Sequence, residues 1–326
     1  MGTSSVSVII PVYNGAALMR RCIESVWTQV GRFPAELIIV DDGSTDDTVQ
    51  VATGLGQDRI RMIQQENQGP AAARNAGLGR ATGRYVAFLD ADDYWLPTFL
   101  QHTVGFLETH PEAIAVSVGQ IHKLLGKPDC IVPHALQSES LGREPRMLDS
   151  FFTFWASHRH VCTGSVLMRA DAARQTGGQR TEFRICEDLE FWGYLATFGP
   201  WGFVPEVLFV SDGGAVTRRR GWLRKNRQRW ASAPTVEAWQ ERIVAHLDPQ
   251  EREGFQAIRA CVAKNLAYAM ILSGRDALAR RMCSYFAERD TDRVGSLLAR
   301  AARSPWAWKG LCAALRLREW CRDKRI

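Results

Sequence analysis

Four runs rich in β-branched and aromatic residues, VSVIIPVY (6–13), ELIIVDD (36–42), RIRMIQ (59–64) and RYVAFLD (84–90), alternate with helical stretches at the start of the chain. No other feature constrains the fold as strongly. Residues 16–30 place Leu18, Cys22, Val26 and Val30 at helical spacing, and 46–53 reads as a second helix. The Ala-rich stretch 69–83 has Pro70 where a helix accepts proline, at its first position. Strands and helices that alternate with short connections predict a parallel α/β sheet. Such sheets bind ligands at the carboxyl ends of their strands. Here three of those ends are polar or acidic: Tyr13–Asn14, Asp41–Asp42, and the group Asp90, Asp92 and Asp93. They are expected to meet at one crevice.

Beyond residue 110 the pattern is less regular. SVLMR (165–169) reads as a strand, TGG (176–178) as a turn, 186–199 as a helix and GFVPEVLFV (202–210) as extended. After about residue 216 strand signals stop, and the remainder reads as helices rich in Arg, Trp and Ala. Apolar and charged contents of 46% and 23% suit a globular protein, and 326 residues can bury a large core. The N-terminus lacks the basic region of a secretory signal and its apolar run is broken by Pro11, and no run of 18 apolar residues suggests a spanning helix. The eight cysteines are scattered without a CxxC pair, so reduced thiols in a cytoplasmic protein are expected rather than zinc or a disulfide framework. The net charge of +6 is uneven. Residues 293–326 hold nine Lys or Arg against Glu319 and Asp323, a balance of +7, which leaves the rest of the chain at −1.

Two phosphate-binding loops are excluded by spacing. Gly77, Gly79 and Gly83 do not form G-x-G-x-x-G and precede a strand, while Gly126–Lys127 is followed by Pro128 instead of Ser or Thr. The acids of FLDADDYWLP (88–97) need another explanation, because carboxylates this close repel one another. On an extended strand end Asp90 and Asp92, flanking Ala91, would face one side. Two such carboxylates suit a hard divalent cation, Mn2+ or Mg2+, that keeps positions open for diphosphate oxygens. A solvated acidic turn capping a helix that begins near Pro97 is the alternative.

The segments VSVIIPVYNG, ELIIVDDGSTDDT, NQGPAAARNAGLGRATGRYVAFLDADD and ICEDLEFW stand in the order and spacing of family 2 glycosyltransferases, and residues 5–210 resemble that family. The resemblance implies a GT-A fold, a Rossmann-like, mostly parallel α/β sheet flanked by helices, with 1–215 as the catalytic domain. Within it, 1–110 would be the nucleotide-binding half and 111–215 the acceptor half, and 216–326 would be a helical, basic C-terminal region. It implies that Pro11, Val12 and Tyr13 lodge the nucleotide base, with the Tyr13 ring stacked on it. Asp42, with Asp41 beside it, would accept from the base imide, and Arg74 would lie near base and phosphates. Asp90 would lie near the ribose, and Asp90-Ala91-Asp92 would be the Asp-x-Asp motif, with Asp92 and Asp90 on the metal and Asp93 as a helper. Asp188 would be the general base of an inverting transfer, oriented by Glu187. A carboxylate that only accepts hydrogen bonds suits a uracil or thymine N–H, which favours UDP- or dTDP-sugars.

His158 and His160 are candidates for the acceptor site. NRQRW (226–230) resembles the QxxRW of processive members but begins with Asn226, and Arg218–Arg219–Arg220 could close over a diphosphate. Within 293–322, apolar residues recur at helical spacing among Arg and Lys, and Pro305 is expected to split two helices. Basic amphipathic helices with Trp suit an anionic membrane surface, on the inner face of the plasma membrane if the acceptor is lipid-linked. Packing on the catalytic domain is the alternative. No nucleic-acid recognition motif is present. The rival functions are a sugar-nucleotide nucleotidyltransferase, which would need a Gly-rich loop with Arg where PVYNGAA stands, and a noncatalytic sugar-nucleotide binder, which would need no acid at 188.

Overall fold

All seven residues of Val6–Val12 (β1) are buried, as in a strand covered on both faces. The strands β2 (Ala35–Asp41), β3 (Ile60–Gln64) and β4 (Tyr85–Phe88) run parallel to it in the order β3-β2-β1-β4. The computed structural model to which these elements belong describes residues 5–31, 35–56, 59–123, 128–138, 141–212, 222–287 and 293–323. The connecting helices are α1 (Met19–Trp27), α2 (Thr48–Gly56) and α3 (Pro70–Leu78), the last with Pro70 in its first turn. Side chains of β1 alternate between two cores. Val8, Ile10 and Val12 pack with Met19, Cys22 and Ile23 of α1, while Ile9 packs with Ala73 and Leu78 of α3. A Cβ at Gly77 would lie 2.4 Å from Ile9 Cγ2, so glycine lets α3 settle directly on the sheet.

The chain then forms β5 (Tyr94–Trp95), α4 (Phe99–Thr109), β6 (Ala115–His122), β7 (Cys130–Val132), β8 (Arg146–Met147), α5 (Phe151–His158), β9 (Val166–Arg169), α6 (Ala170–Gln175), α7 (Glu187–Leu195) and β10 (Trp201–Ser211). The sheet continues β4-β9-β6-β10-β5, with β7 paired to β6 and β8 to β10. Strand β9 is antiparallel to both β4 and β6, and β10 is parallel to β6. The carboxyl ends of β1, β2, β4, β6 and β10 therefore share one rim. Strand β6 was invisible in sequence because Ser117 and Gln120 are polar yet fully buried, which breaks the apolar pattern. Strand β10 changes register against β6 between Val204 and Val207, where Pro205 has no N–H to give.

The remaining elements are helical, as expected: α8 (Trp222–Ala231), α9 (Val236–His246), α10 (Arg252–Leu272), α11 (Asp276–Met282), α12 (Arg293–Ala302) and α13 (Pro305–Asp323). Pro305 separates the last two. These helices share a core with the second half of the sheet. Phe255 of α10 stacks on Trp239 of α9 with ring centroids 6.1 Å apart and meets Phe152 of α5 edge-on at 5.3 Å. Glu251 accepts from the backbone N–H groups of Phe151 at 2.9 Å and Phe152 at 3.2 Å, satisfying donors that the start of α5 leaves open. Among the described residues no helix is long and apolar enough to cross a membrane.

Candidate active site

The rim is built from loops that tie one another down. After β1, Asn14 takes a left-handed conformation at φ 51°, which Asn tolerates better than most residues. Its Oδ1 accepts from the Thr45 N–H at 2.8 Å, its own N–H donates to Ser44 Oγ at 2.9 Å, and the Gly15 N–H donates to Thr48 Oγ1 at 2.9 Å. The loop after β1 is thus knitted to the loop after β2. Pro11 and Val12 are buried, and the Tyr13 ring is left 54% exposed on the rim.

Asp41 and Asp42 are almost completely buried. Asp41 Oδ1 accepts from the Ser44 N–H at 3.1 Å. Asp42 receives three hydrogen bonds: Gln65 Nε2 at 2.7 Å and the Gln68 N–H at 2.9 Å on Oδ1, and the Gly69 N–H at 2.7 Å on Oδ2. Gly69 sits at φ +92°, immediately before α3, where a side chain would collide with the Arg184 guanidinium. Asp42 therefore anchors segment 65–69 and the entry to α3, with lone pairs remaining on its oxygens.

Asp90 and Asp92 do not lie on an extended strand end. Strand β4 stops at Phe88, and the Asp93 N–H donates to the Asp90 carbonyl at 3.0 Å, closing a turn over Asp90–Asp93. Their side chains consequently serve different ends. Asp90 Oδ1 accepts from Arg74 Nη2 at 2.7 Å. Asp93 is buried and accepts from the Asp212 N–H at 2.8 Å, which pins the turn to the end of β10. The Asp92 carboxyl is pushed up to about 6 by burial and by the nearby charges of Asp90 and Asp212. Ala91 between them is nearly buried.

Arg74 lies at the centre of this arrangement and turns inward. It is 4% exposed. Besides Asp90 it donates through Nη1 to Gln179 Oε1 at 3.2 Å, and it lies 4.0 Å from Glu187 Oε1. One cation thus spans the acids after β4 and those opening α7. Glu187 is 6% exposed, and its carboxyl is raised by burial and by Asp188, with Arg74 opposing. Asp188 is partly exposed, and burial raises its carboxyl against the pull of Arg74. Both lie in the first turn of α7, where the helix dipole favours negative charge.

Helix α7 is held from behind by a residue that the sequence did not point to. Arg242 of α9 makes a two-pronged ion pair with the buried Glu190, Nε to Oε1 at 2.8 Å and Nη2 to Oε2 at 2.6 Å, and also donates to the Thr176 carbonyl at 3.0 Å. A second missed residue is Asp212, which pairs with Arg21. It stands just past a strand, the very placement that singled out Asp41 and Asp90, and that rule applied to β10 would have found it. Arg229 of the NRQRW segment donates to the Arg184 carbonyl at 3.2 Å and lowers Glu187 electrostatically, so this segment borders the acids of α7.

His160 does not line the crevice. It is fully buried among Phe151, Phe154 and Phe203, and burial pushes its pKa well down, so it is a neutral core residue. His158 ends α5 against Phe154. Arg218–Arg219–Arg220 lies outside the described residues.

Among the described residues no three His, Cys, Asp or Glu side chains converge as a metal site. The donor set after β4 nevertheless fits a hard cation. Asp92 is a half-buried carboxylate held above its ordinary range by desolvation and by the charges of Asp90 and Asp212, so a cation there would relieve the repulsion. Mg2+-type ions commonly take one or two protein carboxylates and fill the other positions with water and phosphate.

Comparison with known proteins bears on this geometry. The sequence profile described as Glycosyl transferase family 2 matches residues 7–176. A 119-residue stretch is 40% identical to the Escherichia coli UDP-Glc:alpha-D-GlcNAc-diphosphoundecaprenol beta-1,3-glucosyltransferase WfaP, covering 36% of this chain and 47% of that protein. The chain spans a third or less of the length of four curated bacterial relatives that it matches at 40–49% identity. In three dimensions it is similar to S. aureus TarS 1-349 in complex with UDP, with TM-score 0.56, 18% identity, and coverage of 96% of this chain and 90% of that one. It is also similar to the mannosyltransferase PcManGT from Pyrobaculum calidifontis in complex with GDP-Man and Mn2+, with TM-score 0.51, 21% identity, and coverage of 97% and 86%. These likenesses identify the fold as GT-A-like.

Proposed function

The chain belongs to glycosyl transferase family 2, and we propose that it transfers a sugar from a nucleoside diphosphate donor to a hydroxyl acceptor with inversion at the anomeric carbon. The observation that carries this reading is the division of labour among the acids on the two sides of Arg74. Asp92 and Asp188, in separate elements, are both held above the ordinary carboxylate range, and Arg74 lies between the groups to which they belong.

The base of the nucleotide stacks on the exposed Tyr13 ring, with Pro11 and Val12 as the floor. Asp41 and Asp42 present acceptors to its imide, which suits UDP or dTDP. Arg74 acts from beneath by fixing Asp90 near the ribose, and Ala91 keeps the turn narrow. Asp92, with Asp90, would hold Mn2+ or Mg2+, which when bound neutralises the charge that develops on the departing diphosphate. The Mn2+ in the PcManGT complex supports that choice. Asp188 takes the proton of the acceptor hydroxyl as its oxygen attacks C1 and the bond from C1 to the diphosphate breaks. A carboxylate raised toward neutrality is better suited to that step than an ordinary one. Glu187, fixed opposite Arg74, orients the first turn of α7.

The acceptor is a saccharide, free or lipid-linked, of the kind used in cell-surface polysaccharide synthesis. WfaP, whose name specifies a diphosphoundecaprenol acceptor, supports the lipid-linked form. The protein then works at the cytoplasmic face of the membrane, with residues 1–215 as the transferase domain and 216–326 as the region that meets the surface. A thermal-shift panel of UDP-, dTDP- and GDP-sugars with and without Mn2+ tests the donor. Stabilisation by one nucleotide class in the presence of Mn2+ supports the reading, and no response to any donor removes it.

A further inference from the structure

Helix α13 is apolar on two opposite faces. One face, with Trp308, Cys312 and Leu315, is buried, and Trp308 Nε1 donates to the Asp276 carbonyl at 2.9 Å. The other carries Trp306, Gly310, Ala313, Leu317 and Trp320. Their spacings of four and three residues place them in one narrow stripe along the helix. Trp306 is 83% exposed, Leu317 60% and Trp320 49%. A helix that only packs on its own protein has one apolar face and one polar face. A second, solvent-facing stripe with two tryptophans marks a surface that meets something else.

The charge around the stripe identifies what that is. The segment 293–326 carries the +7 balance, while the rest of the chain is near neutral. Glu319 is already engaged by Arg318 and Arg322, each at 3.1 Å. Arg300, Arg303 and Lys309 are exposed, and Lys309 Nζ lies 5.8 Å from the Trp306 ring centroid. We propose that this face of α13 lies on an anionic lipid surface, with Trp306, Leu317 and Trp320 at the boundary of headgroups and acyl chains and the cations among the headgroups. Trp favours that boundary because its ring is apolar and its N–H is polar. A second copy of the chain is the poorer occupant, because pairing this face with itself would bring two like-charged segments together. The proposal supplies the partner of the C-terminal region in the function proposed above and rests on that function only for its purpose.

Co-sedimentation of the full chain with vesicles tests it, without donor and without turnover. Vesicle binding and donor-induced thermal shift are thus separate readouts, and either reading can fail alone. Wild-type protein is expected to bind phosphatidylcholine vesicles containing about 30% phosphatidylglycerol and to ignore pure phosphatidylcholine, with binding falling severalfold in about 0.5 M salt. The triple variant Trp306→Ser, Leu317→Ser, Trp320→Ser should lose about tenfold in vesicle affinity with the donor response unchanged. The pair Arg303→Glu, Lys309→Glu, which leaves the stripe intact, should weaken binding to the anionic vesicles. Absence of binding by the wild type, or equal binding by all three proteins, overturns the proposal. So does a wild-type dimer in size-exclusion chromatography that the triple variant dissolves, since a second copy would then cover the face.

Discussion

The loop after β2 and the turn after β4 stand on the same rim and carry similar acids, yet they treat those acids in opposite ways. Asp42 is surrounded by donors, with three hydrogen bonds from segment 65–69 that hold that segment in place and leave only its remaining lone pairs for a further donor. Asp92 has been given burial and two like charges instead. Asp93, one residue later, belongs with Asp42, because its carboxylate ties the turn to the end of β10. Depth alone therefore does not mark a working acid. A carboxylate that the fold already satisfies can hold structure or accept one more hydrogen bond, while one raised toward neutrality is suited to a cation or a proton. Asp188 is partly exposed, and burial raises its carboxyl too against the pull of Arg74.

If this distinction holds, the largest effect falls on Asp188. Asp188→Asn should lower turnover about 10²–10⁴-fold while donor binding, read by calorimetry, stays intact. Retained turnover would place the base elsewhere. Asp42→Ala should act through the fold and the base site instead, losing on the order of 2–3 kcal/mol in urea unfolding because three donors lose their partner and weakening donor binding with it.

Asp92→Asn sharpens the contrast. A carboxyl raised to about 6 in the folded protein is protonated there more readily than in the unfolded chain. Its contribution to stability is therefore complete below the unfolded carboxylate pKa and is lost as pH rises through about 6. The variant should then be more stable than the wild type at pH 7 without metal, by at most about 3 kcal/mol, with the gain fading toward pH 4. It should also lose the Mn2+-dependent part of the donor response. A destabilised Asp92→Asn would place Asp92 with Asp42.

The raised Asp188 predicts a pH effect on the wild type. Turnover should fall on the acid side at a pH above the ordinary carboxylate range, as the base takes up its proton, and a kcat profile flat down to about pH 4 would contradict it. The smallest effect is expected for Tyr13→Ala, which should weaken donor binding by about 1 kcal/mol with little change in stability, because the ring is exposed.

The two halves of the sheet differ in how much of them the sequence discloses. Strands β1, β2 and β4 are parallel and buried along most of their length, so each is a short apolar run bounded by turns, while β3 at the sheet edge is half-buried and carries exposed Arg61 and Gln64; all four were legible with their helices. Strand β6 hides because its buried Ser117 and Gln120 donate or accept inside the core, a compensation that no periodicity reveals. The candidate site was named from residue types in the segments ending at Asp42, Asp92 and Asp188. Its organisation was not. That Asp90 pairs with Arg74 while Asp93 holds the end of β10 follows from the turn they share, and Arg242 reaches Glu190 from 52 positions away.

Taken alone, the amino-acid order determined the alternating architecture of the first half, the acids at its strand ends, the family and the helical, basic character of the C-terminal region, because each is written in local spacing and composition. Only the tertiary structure decided which acids are satisfied and which are not, where Arg74 sends its charge, and which face of α13 stays in solvent. Those properties depend on what lies within a few ångströms in space, and burial and hydrogen bonding join residues that the chain keeps far apart.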